Sequence, residues 1–217
     1  MSKYKQLFRG TAFSSKSSKE IEILKDHLFC IHDDGKIEKI VAPEDADYQV
    51  LLDAYQGKDN FYSLAEGQYI LPGFIDLHVH APQWAQSGTA LDIPLYDWLN
   101  TYTFPLESKF SDLDFAYEVY DDLVRTLLAN GTTTALYFAT IHKESSLLLA
   151  RICAERGQRG LVGKVVMDDP EQNPEHYRDA DTKAALADTE EFILAVKALS
   201  KTVKQGVFPV VTPRFIP

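Results

Sequence analysis

Leu71-Pro72-Gly73-Phe74-Ile75-Asp76-Leu77-His78-Val79-His80 alternates apolar and polar side chains with a period of two, as a β-strand does. Ile75, Leu77 and Val79 fall on one face, which is expected to pack against helices, while Asp76, His78 and His80 share the other. Two histidines at i and i+2 leave the backbone in the same direction at a strand end, so they can ligate one ion together. Imidazole suits Zn²⁺, with Fe²⁺ an alternative. A bare H-x-H also arises by chance. Here Asp76 adds a third inward polar position, and such a row is costly in a barrel interior unless it binds something.

Working outward, the chain from residue 69 onward repeats strand-then-helix units at intervals of roughly 40 residues, which implies a parallel sheet. Strands are expected at 70–78, 132–139, 160–167 and 207–212. The first helix spans 112–129, with Phe115, Val119, Leu123 and Leu127 on one face, Ser111 as N-cap and Asn130-Gly131 as its end. The second covers 144–156 and stops at Gly157. The third covers 181–203, with Phe192, Val196, Leu199 and Val203 aligned. A complete (β/α)₈ barrel takes about 250 residues, whereas these four units occupy about 150. The expected fold is therefore α/β, an incomplete (β/α)₈ TIM-type barrel over 70–217, and residue 217 is not expected to end a folding unit.

Residues 1–69 carry shorter β-type runs at 7–13, 21–24, 27–32 and 36–41. Asp34-Gly35 lies between two of them, and both residues tolerate the positive φ of a tight hairpin turn. A small antiparallel β domain is expected there.

At 217 residues and 45% hydrophobic content the chain can bury a sizeable core. No apolar run approaches the roughly 18 residues needed to cross a bilayer, and the first residues lead into no apolar segment, so a cytoplasmic protein is expected. Cys30 and Cys153 are far apart and sit among apolar residues, which points to buried thiols. A net charge of −10 argues against nucleic acid and anionic membrane surfaces and favours a small neutral or cationic substrate. His27, His32, His142 and His176 have no partner at ligand spacing.

The segment PGFIDLHVH resembles the first-strand motif of the metal-dependent amidohydrolase superfamily. The likeness to its guanine-deaminating members continues through His80-Ala81-Pro82-Gln83, residues 91–99, Tyr102-Thr103-Phe104-Pro105, residues 130–134, residues 137–142, residues 163–168 and Val211-Thr212-Pro213-Arg214-Phe215. It implies one Zn²⁺ per site with His78 and His80 as its first two ligands. It also implies that Gln83, Arg214 and Phe215 hold a purine, guanine, which is hydrolysed to xanthine and ammonia, in an enzyme that is a homodimer at full length. An amide can both donate to and accept from a purine edge, a guanidinium can donate to its carbonyl or ring nitrogens, and a phenyl ring can bound the flat base. The resemblance assigns two further His, one Asp and the general acid/base Glu to strands beyond residue 217, so the 1–217 chain alone is expected to be inactive. Arg214 stands where binuclear relatives carry a carboxylated lysine, which favours one ion and leaves Lys164 a structural residue. Two other readings stay open: an amidohydrolase of another amino-heterocycle, and a non-catalytic fragment or assembly partner in which the H-x-H is a remnant.

Overall fold

The computed structural model describes residues 3–214, and these divide between two compact units, Met1–Pro72 and Gly73–Pro217.

In the first unit, β1 (Gln6–Ser17) and β2 (Glu20–Ile31) form a long antiparallel pair, and β3 (Ile37–Val41) extends it on the other side of β2. Gly35 adopts φ +86° in the β2–β3 turn, the conformation the Asp34-Gly35 pair was expected to supply. The runs at 21–24 and 27–32 are one strand. It is interrupted by Asp26 at φ +55°, where the β1–β2 register slips between Gly10 and Ala12. Arg9 grips the Asp26 carboxylate through Nε at 2.8 Å and Nη2 at 2.9 Å and fixes that irregularity.

The expectation of a purely antiparallel β unit is corrected in two respects. Residues Ala46–Tyr55 form a helix, α1, whose Tyr48, Leu52 and Tyr55 are buried at helical spacing against Leu7, Leu28, Cys30 and Val41. In addition, β4 (Phe61–Ser63) and β5 (Tyr69–Ile70) run parallel to β1, because α1 supplies the crossover that parallel pairing needs. Ile70, placed by sequence on the first barrel strand, therefore belongs to this sheet.

The second unit opens with β6 (Phe74–His80). An irregular helical stretch follows: a 3₁₀ turn at Ala81–Gln86, α2 (Leu95–Trp98), a π turn at Leu99–Thr103, α3 (Phe104–Glu107) and a 3₁₀ turn at Ser108–Ser111. Then come α4 (Leu113–Ala129), β7 (Thr132–Phe138), α5 (Lys143–Arg156), β8 (Arg159–Gly163), β9 (Val165–Val166), α6 (Thr182–Ser200), β10 (Val207–Pro209) and β11 (Thr212–Pro213). Strands β6, β7, β8 and β10 lie side by side in chain order, all parallel, with a short parallel β9–β11 ladder beyond them. The third and fourth expected strands are thus each broken into two, at Lys164 and at Val210-Val211.

All three long helices pack on the same face of the sheet. Tyr120 and Val124 of α4, Leu149 and Ile152 of α5 and Phe192 and Val196 of α6 join Ala135, Tyr137, Val162 and Val207 of the strands in one core. Val79 packs against that core, but Ile75 and Leu77 are 66% and 63% exposed, because among the described residues β6 is an edge strand paired with β7 alone. The expected helix-covered row on β6 is therefore covered only at Val79. Gly163 is required at the end of β8: a Cβ there would lie 2.3 Å from Thr212 Cγ2.

Asp112, not Ser111, caps α4, its carboxylate accepting from Asp114 N at 2.9 Å and Phe115 N at 3.3 Å. Asp112→Ala is expected to lower stability by about 1 kcal/mol, readable as a reduced denaturant midpoint. Among the described residues no helix is long and apolar enough to cross a membrane.

Candidate functional site

His78 and His80 emerge near the carboxyl end of β6, on the face opposite the helices, as the two-residue period requires. Their Nε2 atoms are 3.2 Å apart and their rings are tilted by 53°. Two nitrogens bound tetrahedrally to one zinc at about 2.0–2.1 Å each stand about 3.3 Å apart, so this pair fits a single ion with little movement. Phe138, the Cα partner of His80 on β7, stacks on His80 at 5.0 Å between centroids and meets His78 at 4.6 Å with the rings tilted by 32°, which holds both ring planes.

Burial, then the nearby Arg214 and His78, push the His80 imidazole down to about 4, so its ring is neutral with a lone pair available at physiological pH. Its Nδ1 is buried and finds no hydrogen-bond partner among the described residues. Asp76 is engaged differently: its Oδ1 accepts from the His78 backbone N at 3.0 Å, which steadies the strand end. Among the described residues no third His, Cys, Asp or Glu completes a metal-binding group with the pair.

Asp76, His78, His80 and Gln83 line a cleft of about 450 Å³ that reaches along the edge of β6 to Val79 and to Leu123 and Leu127 of α4. That is a small-ligand size. Gln83 follows β6 directly, on the 3₁₀ turn that Pro82 starts. Arg214 follows β11, its backbone N donating to Val166 O at 3.0 Å. The two meet at one carboxylate: Gln83 Nε2 donates to Glu107 Oε1 at 3.3 Å and Arg214 Nη1 to Glu107 Oε2 at 2.6 Å. Glu107 is fully buried, the Arg214 side chain is 8% exposed, and the guanidinium lies 5.5 Å from the centre of the Phe104 ring. Phe215 lies outside the described residues.

Sequence reasoning missed Glu107 and Phe138. The alternation that places His80 inward also places its strand partner Phe138 inward, a signal that was there to read. Glu107 gave none, since its cationic partner is 107 residues away in the chain. Lys164 is fully buried and paired with Asp179 at 3.0 Å, turned to scaffolding rather than to the histidines.

The Amidohydrolase family profile matches residues 69–216. Guanine deaminase of Rattus norvegicus is 43% identical over 210 residues, covering 96% of this chain and 45% of the relative. That of Dictyostelium discoideum is 42% identical over 219 residues, covering 98% and 47%. A crystal structure of guanine deaminase from C. acetobutylicum with bound guanine in the active site superposes with a TM-score of 0.83 at 35% identity, covering 98% of this chain and 46% of that one. The chain thus spans about half the length of the curated relatives it matches.

Proposed function

This chain belongs to the amidohydrolase family, and on that premise we propose that it is the metal-first, purine-holding part of a zinc-dependent guanine deaminase. Its parallel strands then form the first arc of a (β/α)₈ barrel, after a small β-rich domain. One observation carries the reading. A pair of imidazoles at single-ion spacing ends β6, and a Gln–Glu–Arg cluster suited to a purine edge joins Gln83, just after β6, to Arg214, just after β11 of the short β9–β11 ladder. Enzymes built on such sheets place their chemistry at the carboxyl ends of the strands.

In this reading His78 and His80 hold the ion through Nε2, and His80 stays neutral because its surroundings disfavour the charged ring. When bound, zinc supplies Lewis acidity that brings the pKa of water to roughly 7, giving a nucleophile for the carbon that bears the amino group. Phe138 keeps the two rings oriented. Gln83 and Arg214 hold guanine, with Phe215 as the third purine contact, so that the carbon losing ammonia stays beside the ion; the products are xanthine and ammonia. A cytoplasmic homodimer belongs to the same reading, supported by the family likeness.

Incubating the protein that carries this chain with guanine and a panel of other amino-heterocycles, and measuring ammonia, tests the substrate. Guanine is expected to be preferred. Gln83→Ala, and Arg214→Lys, which keeps a cation against Glu107, are each expected to raise the KM for guanine by about tenfold to a hundredfold while zinc content is unchanged. Normal kinetics in both variants would remove the purine pocket from the account.

A further inference from the structure

Glu107 is fully buried next to Gln83, a residue of the cleft lining, and each of its oxygens has a different partner. Gln83 Nε2 donates to Oε1 at 3.3 Å and Arg214 Nη1 donates to Oε2 at 2.6 Å. A carboxylate only accepts, so the nitrogen end of the Gln83 amide is the end that can face it; the reverse orientation would set oxygen against oxygen. The amide is planar, and Gln83 lines the cleft. Its carbonyl oxygen is therefore left to the cleft side.

We propose that Glu107 is a positioning residue of the substrate pocket: it locks the Gln83 amide with its oxygen toward the ligand and holds the Arg214 guanidinium beside it. Position 83 is then an acceptor and position 214 a donor. The ligand class that fits is a flat heterocycle offering an N–H to the first and a carbonyl oxygen or bare ring nitrogen to the second, as a lactam edge such as that of guanine does. A heterocycle with only ring-nitrogen acceptors would set its lone pairs against the Gln83 oxygen, and a site built this way rejects it strongly. The inference rests on the guanine reading above and adds how its selectivity arises. Tyr177 supports the arrangement. Burial, then the Glu107 carboxylate beside it, raise its phenol well above the ordinary value, so it remains a neutral donor next to that carboxylate.

Glu107→Gln keeps the shape of the side chain but replaces one acceptor oxygen by a donor. Arg214 keeps its acceptor, whereas Gln83 then faces an NH₂ group and must turn its own amide over, presenting a donor to the ligand. Combining Glu107→Gln with Gln83→Glu restores the pattern, because the carboxylate at position 83 accepts from the new amide and offers its other oxygen to the cleft. In the zinc-loaded protein that carries this chain, Glu107→Gln is expected to raise the KM for guanine on the order of tenfold or more. Its kcat should stay within about threefold, with zinc per chain near that of the unsubstituted protein, while the melting temperature falls because buried Arg214 loses its counter-charge. The double substitution is expected to recover most of that loss.

An unchanged KM in Glu107→Gln would overturn the proposal. So would a double variant no better than the single one, or loss of folding in the single variant that the second substitution does not repair; the last would make Glu107 merely structural. If the unsubstituted protein fails to convert guanine at all, the functional reading fails first and takes this inference with it.

Discussion

Alanine in place of His80 is expected to lower guanine turnover by on the order of a thousandfold or more and to strip most of the zinc, while the chain stays folded. Opposing effects decide the second half of that statement. The substitution loses the stacking of His80 on Phe138, worth about 0.5–1.5 kcal/mol. It also removes a buried Nδ1 that has no hydrogen-bond partner among the described residues, a liability of about 1–3 kcal/mol. Metal-free stability should therefore change little. Activity and metal content should collapse together, because a ring nitrogen at single-ion spacing from its neighbour cannot be replaced by a methyl group. His78→Ala is expected to give the same pair of losses. A histidine with a purely structural role would behave oppositely, with reduced melting temperature and intact zinc. Inductively coupled plasma analysis and calorimetry on the same sample separate the two cases.

Asp179→Ala is expected to be the most destabilising single change away from the histidines, at about 3–5 kcal/mol. Lys164 is fully buried and its ammonium reaches Asp179 at 3.0 Å, with a second bond to Val165 O at 3.2 Å. Deleting the carboxylate leaves a cation in the interior and also frees Met167 N, which Asp179 Oδ2 accepts at 2.7 Å. A surface ion pair would cost under about 1 kcal/mol, so the size of the loss reads out the burial directly. Lys164→Met together with Asp179→Ala is expected to recover a large part of it, since an apolar replacement removes the stranded charge. Urea unfolding of the single and double variants measures both terms. The pair sits where β8 gives way to β9, and β9 pairs with β11, next to Arg214. The single variant should therefore also weaken guanine binding.

The parts of the fold that follow from local rules were legible in the sequence. The apolar spacing of Val119, Leu123 and Leu127, the stops at Gly131 and Gly157 and the alternation through His80 each depend on residues within a few turns of one another, and all three match elements of the structure. Asp112 shows how narrow the margin is at a boundary: Ser111 and Asp112 are both good caps, and the choice falls to whichever carboxylate or hydroxyl reaches the free N–H groups. The stretch from residue 81 to residue 111 resisted reading because 3₁₀, α and π turns succeed one another around Pro82, Pro94 and Pro105, so no single period persists. That stretch carries Glu107, the group on which Gln83 and Arg214 converge. A buried carboxylate is stable only with its cation in place, and the cation arrives from the far end of the chain. Helix α1 was hidden for another reason, since it is short and lies among strands. Its Tyr48, Leu52 and Tyr55 do show helical spacing, but over only ten residues.

Anomalous diffraction at the zinc edge, on crystals of the zinc-loaded protein that carries this chain, goes most directly to the centre of the account. A single peak about 2.0–2.1 Å from both His78 Nε2 and His80 Nε2 is the predicted result. Zinc bound elsewhere, or imidazole rings turned toward each other with no peak between them, would contradict it.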